Sequence, residues 1–285
     1  MAMLTRFAPS PTGELHFGHA YSAVLAHVAA RGAGGFFRIR IDDIDGRRSR
    51  EDYVAASLAD LKWLGLDWDG DPVRQSGRLG AYAAALDDLR SRGLVYPCFC
   101  TRADIAASLS APHGPSGAVY PGTCRPLTQG ERERRIAAEP HCWRLDMARA
   151  VAEGGELVWE EMGQGLRTAD SQAHGDIVLA RKDAPASYHL ASTLDDAAMG
   201  VTHVIRGADL IASTDVHRLL QALLGLPTPL YRHHALVCGA DDKRLAKRDA
   251  AASLASLRAA GIDGRALAAD LAADRLPTGY SLRKS

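Results

Sequence analysis

The sequence predicts an α/β protein built on a parallel sheet, and three observations carry that expectation. Its opening alternates β-rich and helical patterns in the order strand, helix, strand, helix, from which parallel sheets are wound. Strand-like runs return in the second half with helical stretches between them. Between the halves, Cys98 to Arg125 is rich in Pro, Gly and Ser with little periodicity, the composition of an inserted loop or a small metal knuckle. The expected organisation is 1–95 as the first half of the core, 96–140 as the insertion, 141–249 as the second half, and 250–285 as a short helical C-terminal segment.

Taken in order, Leu4 to Phe7 is a short strand that runs into a Pro/Gly turn from Ala8 to Gly13. An Ala-rich helix follows from about Gly18 to Arg31, stopped by Gly32, Gly34 and Gly35. Phe36 to Ile41 is β-rich, and Tyr53, Leu58, Leu61 and Leu64 then recur at helical spacing. Gly77 to Arg92 is a further helix. After the insertion, strands are expected at Cys142 to Leu145, Glu156 to Glu160, Asp176 to Ala180 and Val201 to Ile205. A helix from Asp215 to Leu224, a strand from Ala235 to Cys238 and a helical stretch from Ala250 to Asp274 complete the chain.

Composition bounds the function. At 285 residues, with 47% hydrophobic and 24% charged, the balance is that of a globular protein with a substantial core. Thirty-four Lys and Arg offset thirty-four Asp and Glu, so no whole-protein field attracts nucleic acid, and any RNA contact must use local patches. Five Cys are too few for a disulfide scaffold at this size, which points to reduced thiols and a cytoplasmic protein. The N-terminus has no apolar stretch after a basic start, so neither export nor a membrane partner is expected.

The most specific local feature is Pro9-Ser10-Pro11-Thr12-Gly13-Glu14-Leu15-His16-Phe17-Gly18-His19, between a strand and a helix. A helix N-terminus presents unbonded N–H groups and partial positive charge, Gly18 admits a ligand close to the backbone, and His16 and His19 are placed to donate to phosphate oxygens. His19 as a simple helix cap, with His16 packed in the core, is the alternative. Near the other end, Lys243-Arg244-Leu245-Ala246-Lys247-Arg248 forms a cationic turn between a strand and a helix. Such a loop suits either a lid over a triphosphate or a solvated surface. Cys98, Cys100 and Cys124 suit tetrahedral zinc but are one ligand short of a closed site; His113 and Cys142 are candidates for the fourth, and three ordinary thiols are the alternative. Asp42, Asp43 and Asp45 at a strand end pair as readily with Arg47 and Arg48 as with a ligand. Cys238 reads as a small buried hydrophobe, and Trp63 and Trp68 as packing residues.

Together the HFGH segment and the cationic loop resemble the HIGH and KMSKS signatures of class I aminoacyl-tRNA synthetases. More narrowly, Arg6-Phe7-Ala8-Pro9-Ser10-Pro11-Thr12-Gly13, Arg40-Ile41-Asp42-Asp43-Ile44-Asp45 and Tyr96-Pro97-Cys98-Phe99-Cys100-Thr101 are similar to the catalytic domain of glutamyl-tRNA synthetases, over about residues 3 to 250. The resemblance implies a Rossmann-like parallel sheet with a zinc-bearing insertion. Only 37 residues, 249 to 285, follow Arg248, too few for the helical domains that grip an anticodon stem. That implies the shorter glutamyl-Q group of the family, which activates L-glutamate with ATP in the absence of tRNA and attaches it to the queuosine base in the anticodon of tRNA(Asp). A truncated glutamyl-tRNA synthetase charging the tRNA 3′ end, and a non-catalytic nucleotide- or tRNA-binding module, are the rival readings.

Residue roles follow from the same resemblance. Arg6, Phe7, Ala8, Pro9 and Ser10 line the glutamate site, Asp42 meets the amine where Glu is usual, and Tyr188 and Arg206 complete the pocket. His16, Gly18, His19, Arg244 and Lys247 bind ATP, with His16, His19 and Lys247 catalytic; Ala246 replaces the usual Ser. Mg²⁺ accompanies ATP, and one structural Zn²⁺ sits on Cys98, Cys100, Tyr120 and Cys124, the Tyr being the fourth ligand. A monomer is expected.

Overall fold

The computed structural model describes residues 2–107, 113–114, 117–239 and 253–283. The chain divides into two compact units, one of residues 1–77, 200–211 and 229–285, the other of residues 78–199 and 212–228. Elements are numbered in chain order across both.

The first unit is the parallel one. β1 (Leu4–Phe7) pairs in parallel with β2 (Phe36–Ile41), Leu4 opposite Phe36 through Phe7 opposite Ile39, and β2 pairs with β3 (Val73–Arg74). On the other side of β1, Thr202 N–H donates to Leu4 O at 3.0 Å and Leu230 N–H to Thr202 O at 2.9 Å. These bonds bring in a second parallel pair, β11 (His203–Gly207) with β12 (Leu230–His234). The crossovers α1 (Phe17–Gly32) and α2 (Glu51–Trp63) connect the first strands. Strands covered on both faces must be buried along their length, and Thr5, Arg6, Phe7, Phe37, Ile39, Arg40 and Ile41 are. On α1 the buried positions include Ala20, Ala23, Ala26 and Ala30, whose small side chains let the helix lie close to the sheet. Thr5 Oγ1 donates to Ala26 O at 2.8 Å.

The C-terminal stretch differs from the continuous helical segment that the composition suggests. It forms α9 (Leu254–Ala259) and α10 (Gly264–Ala272), then β14 (Ser281–Arg283), which pairs antiparallel with β13 (Leu236–Cys238). The break has a local cause: Gly261 takes a φ of +78° and Asp263 caps α10, its carboxylate accepting from Arg265 and Ala266 N–H. Cys238 is buried on β13, and Trp63 and Trp68 pack against the core of this unit, as packing residues should.

The second unit contains α3 (Leu79–Ser91), β4 (Val95–Cys98), α4 (Arg102–Ala107), the short pair β5 (His113–Gly114) and β6 (Gly117–Ala118), α5 (Gln129–Ala138), β7 (Cys142–Leu145), α6 (Met147–Gly154), the hairpin β8 (Val158–Glu161) and β9 (Gly165–Thr168), β10 (Val178–Ala180), α7 (Tyr188–Ala198) and nearly all of α8 (Ile211–Leu223). Here the strands do not continue the parallel pattern: β4 and β10 flank β7, both antiparallel to it. Pro97 belongs to β4 at the sheet's edge, where a missing N–H is tolerated. Asp195, fully buried on α7, accepts from Arg78 Nε at 2.6 Å and Tyr82 Oη at 2.8 Å, tying α3 to α7. Among the described residues no helix is long and apolar enough to cross a membrane.

Asp60 on α2 is fully buried, neither carboxylate oxygen has a hydrogen-bond partner, and Arg258 of α9 approaches only to 3.5 Å. Burial therefore pushes its carboxyl up to about 6. A carboxyl raised from 3.8 to about 6 binds more protons folded than unfolded across that window, so stability falls as pH rises through it, by about 3 kcal/mol in total. Asp60→Asn is expected to raise the unfolding free energy at pH 8 by about 1–3 kcal/mol and to leave it unchanged at pH 4, read from urea titrations at both pH values.

Candidate active site and metal centre

Parallel strands present their C-terminal ends at one edge of a sheet, where ligands of α/β proteins bind. At that edge of the first unit sit Ala8, Pro9 and Ser10 after β1, Asp42 after β2 and Arg206 near the end of β11. The N-terminus of α1 opens there as well. Pro9 O accepts from Asp42 N–H at 3.0 Å, joining the two loops. Arg6 and Phe7 are buried in β1 itself.

His16 and His19 cap α1 reciprocally. His16 Nδ1 accepts from Gly18 N–H at 3.2 Å, and His19 Nδ1 accepts from His16 N–H at 3.2 Å, a capping box built from two imidazoles. Each Nδ1 that accepts must be unprotonated, so in each neutral ring the proton is on Nε2. The rings lie 3.8 Å apart between centroids. A side chain at position 18 would place its Cβ 3.2 Å from the His16 ring, so glycine is what lets that ring fold back over the helix start. Nδ1 of each ring thus serves the cap, and the proton of each neutral ring is held on Nε2.

The acidic run resolves into distinct partners. Asp43 accepts from Ser76 N–H and Oγ, both at 2.8 Å, and Asp45 pairs with Arg48. Asp42 is gripped by Arg40, which is 1% exposed, through Nε at 2.6 Å and Nη2 at 3.2 Å. Such a fork fixes the plane of the carboxylate. Arg206 Nε lies 3.2 Å from His233 Nε2, its Nη2 donates to Leu210 O at 3.2 Å, and its guanidinium lies over Tyr231. Arg40 and His233 went unassigned in the sequence. A cation alternating with Ile39 and Ile41 in a parallel strand is the signal that would have found Arg40.

Arg244 and Lys247, with Ala246, lie outside the described residues. The flanks of their loop are visible: β13 ends at Cys238, and after the loop Ser253 forms a bridge with His16 while Leu254 N–H donates to Leu15 O at 2.8 Å. The loop therefore returns to the chain beside the histidine cap. Tyr188 belongs to the second unit, at the start of α7 behind the Ser187 cap, with its ring centroid 5.3 Å from that of His217.

The second unit gathers the thiols. Cys98 at the end of β4, Cys100 and Cys124 bring their sulfurs within 4.8 Å of one another, and Cys100 and Cys124 are 3.6 Å apart. Tyr120 Oη lies 3.4 Å from Cys98 Sγ and 3.5 Å from Cys100 Sγ, and accepts from Cys124 N–H at 2.9 Å. Zinc–sulfur bonds of about 2.3 Å in a tetrahedron require sulfurs about 3.8 Å apart, so the donor set fits zinc with little movement. Burial pushes the Cys100 thiol up to about 11 and raises the Tyr120 phenol too. Cys142, opposite Cys98 across the β4–β7 pairing, stands outside the triad, a neighbour of the cluster and not a member of it; the two thiols act on each other, Cys142 being raised and Cys98 lowered. The His113 side chain lies outside the described residues.

The profile of the class I tRNA synthetases (E and Q), catalytic domain, matches residues 2–271. A glutamyl-Q tRNA(Asp) synthetase of Rhodobacter capsulatus is 50% identical over 271 residues, covering 91% of this chain and 96% of that protein. One from Symbiobacterium thermophilum is 44% identical over 277 residues, covering 94% of this chain and 84% of that protein. Among solved structures, a glutamate-tRNA synthetase of Elizabethkingia anophelis superposes with a TM-score of 0.80 at 24% identity, over 95% of this chain and 61% of that one, a likeness of fold.

The cap separates two jobs of one side chain. Asn can place its Oδ1 where His16 Nδ1 sits, so His16→Asn is expected to keep stability within about 0.5 kcal/mol, while His16→Ala loses about 1 kcal/mol. Urea unfolding of the two variants checks this.

Proposed function

Because the chain belongs to the glutamate and glutamine branch of the class I tRNA synthetases, we propose that it activates L-glutamate with ATP, without needing tRNA, and transfers the glutamyl group to queuosine in the anticodon of tRNA(Asp). What carries the choice within that branch is the relative half identical over nearly its whole length, which bears that activity in its name. In the first step an oxygen of the glutamate α-carboxylate attacks the α-phosphorus of ATP and pyrophosphate leaves. In the second, the acceptor group of queuosine attacks the acyl carbon and AMP leaves.

Catalysis on this reading is positional and electrostatic. His16 and His19 direct Nε2–H donors at the α-phosphate, which sits at the positive end of α1. Lys247, with Arg244, neutralises the departing pyrophosphate, Gly18 gives the nucleotide access to the backbone, and Mg²⁺ arrives with ATP. Arg6 to Ser10, Asp42, Arg206 and Tyr188 hold the amino acid. Asp42, a methylene shorter than the usual Glu, reaches the ammonium through a bridging water or a small backbone shift, in the orientation that Arg40 imposes. Cys98, Cys100, Tyr120 and Cys124 hold zinc, whose contribution is to fix the fold of the 96–140 insertion. The enzyme works in the cytoplasm as a monomer of 30.4 kDa, a mass that sedimentation checks.

The deciding experiment supplies labelled glutamate to bulk tRNA with and without queuosine, then locates the label by nuclease digestion. Label in the anticodon fragment of tRNA(Asp), absent without queuosine, is expected. Label on the terminal adenosine of tRNA(Glu) would mean an aminoacylating enzyme, and no glutamate-dependent ATP–pyrophosphate exchange would mean a binding module. In that exchange assay, run without tRNA, His19→Asn is expected to lower kcat about 10²–10³-fold with KM for ATP changed far less.

A further inference from the structure

Arg144, on the central strand β7, is a buried cation packed against the thiol cluster. It is 8% exposed, and no carboxylate pairs with it among the described residues. Its Nη1 donates to the Asp176 carbonyl at 2.7 Å, and its Nε finds no acceptor among the described residues. The guanidinium carbon lies 3.9 Å from the centre of the Tyr120 ring. A buried guanidinium without an anion is strongly unfavourable.

The complementary problem belongs to the metal site. Zn²⁺ on three thiolates carries a net charge of minus one, and minus two once the phenol binds as phenolate, in a setting where Cys98, Tyr120 and Cys124 are all buried. Two other cations stand nearby but are less buried: Lys182 Nζ donates to Phe99 O at 3.0 Å and to Cys100 O at 3.3 Å, and Arg135 lies over Phe99 and pairs with Glu139. Resting on the reading that the triad and Tyr120 take zinc, we propose that Arg144 is a buried counter-charge of the metal centre, a positioning residue that holds the face of Tyr120 and offsets the negative charge of the loaded donor set.

The test uses the full chain and two variants, Arg144→Met, neutral and of similar length, and Arg144→Lys, which keeps the charge. Zinc affinity is measured by competition with a chromophoric chelator, and the visible spectrum is recorded after cobalt substitution. Arg144→Met is expected to bind zinc about 10–100-fold more weakly and to shift the cobalt–thiolate bands, with Arg144→Lys recovering most of the affinity. Should Arg144→Met not fold, Arg144→Lys against Arg144→Gln gives the same charge contrast. Unchanged affinity and spectrum in the neutral variant overturn the inference, as does equal loss in Arg144→Lys, which would make shape and not charge the cause. A wild-type chain that takes up no zinc overturns the metal reading and this inference with it.

Discussion

The first turn of α1 has more N–H groups than the helix can bond, and the way that deficit is met organises the candidate active site. Two backbone donors are satisfied by imidazole Nδ1 atoms, which fixes both ring tautomers before any ligand arrives. The isolated bridge from His16 to Ser253 adds a second constraint just before the helix. One short segment thus sets the helix start, two Nε2–H donors and the return point of the cationic loop. Parallel pairing of β1 with β2 and of β11 with β12 then decides what else reaches that edge.

The polar groups there are held by other polar groups. Asp42 is fixed by Arg40, Arg206 is flanked by His233 and the Leu210 carbonyl, and in the second unit Asp195 and Asp176 collect arginines and tyrosines. Asp176, 2% exposed, accepts from Tyr96, from Arg125 and from the Met147 N–H, while its carbonyl takes Arg144. Such networks are costly when partly satisfied and rigid when complete.

Much of this was legible in the sequence for reasons that can be named. β1 and β2 coincide with the expected strands and α1 with the expected helix, because Pro/Gly turns and a Gly cluster punctuate them. α5 escaped because none of its residues is buried, so it carries no apolar stripe; only the Thr128–Glu131 capping box marks it. β4 was hidden by Pro97, and β9 by the glycines at 163 and 165 that turn its hairpin. The antiparallel direction of β4, β7 and β10 is a tertiary property that periodicity does not encode. The thiol cluster was visible as spacing, whereas the contacts that Arg40 makes with Asp42, His233 with Arg206 and Arg144 with Tyr120 belong to no motif.

The first unit is assembled from three stretches of chain, and its last strand pair joins Leu236–Cys238 to Ser281–Arg283. β1 and β2 thus find each other locally, whereas the contact of Leu4 with Thr202 and the pairing of β13 with β14 close much longer stretches of chain. The second unit is nearly contiguous between residues 78 and 228. Loop closure over many residues is slow compared with local pairing, so the contacts that join the three stretches of the first unit form after the local pairs within each of them.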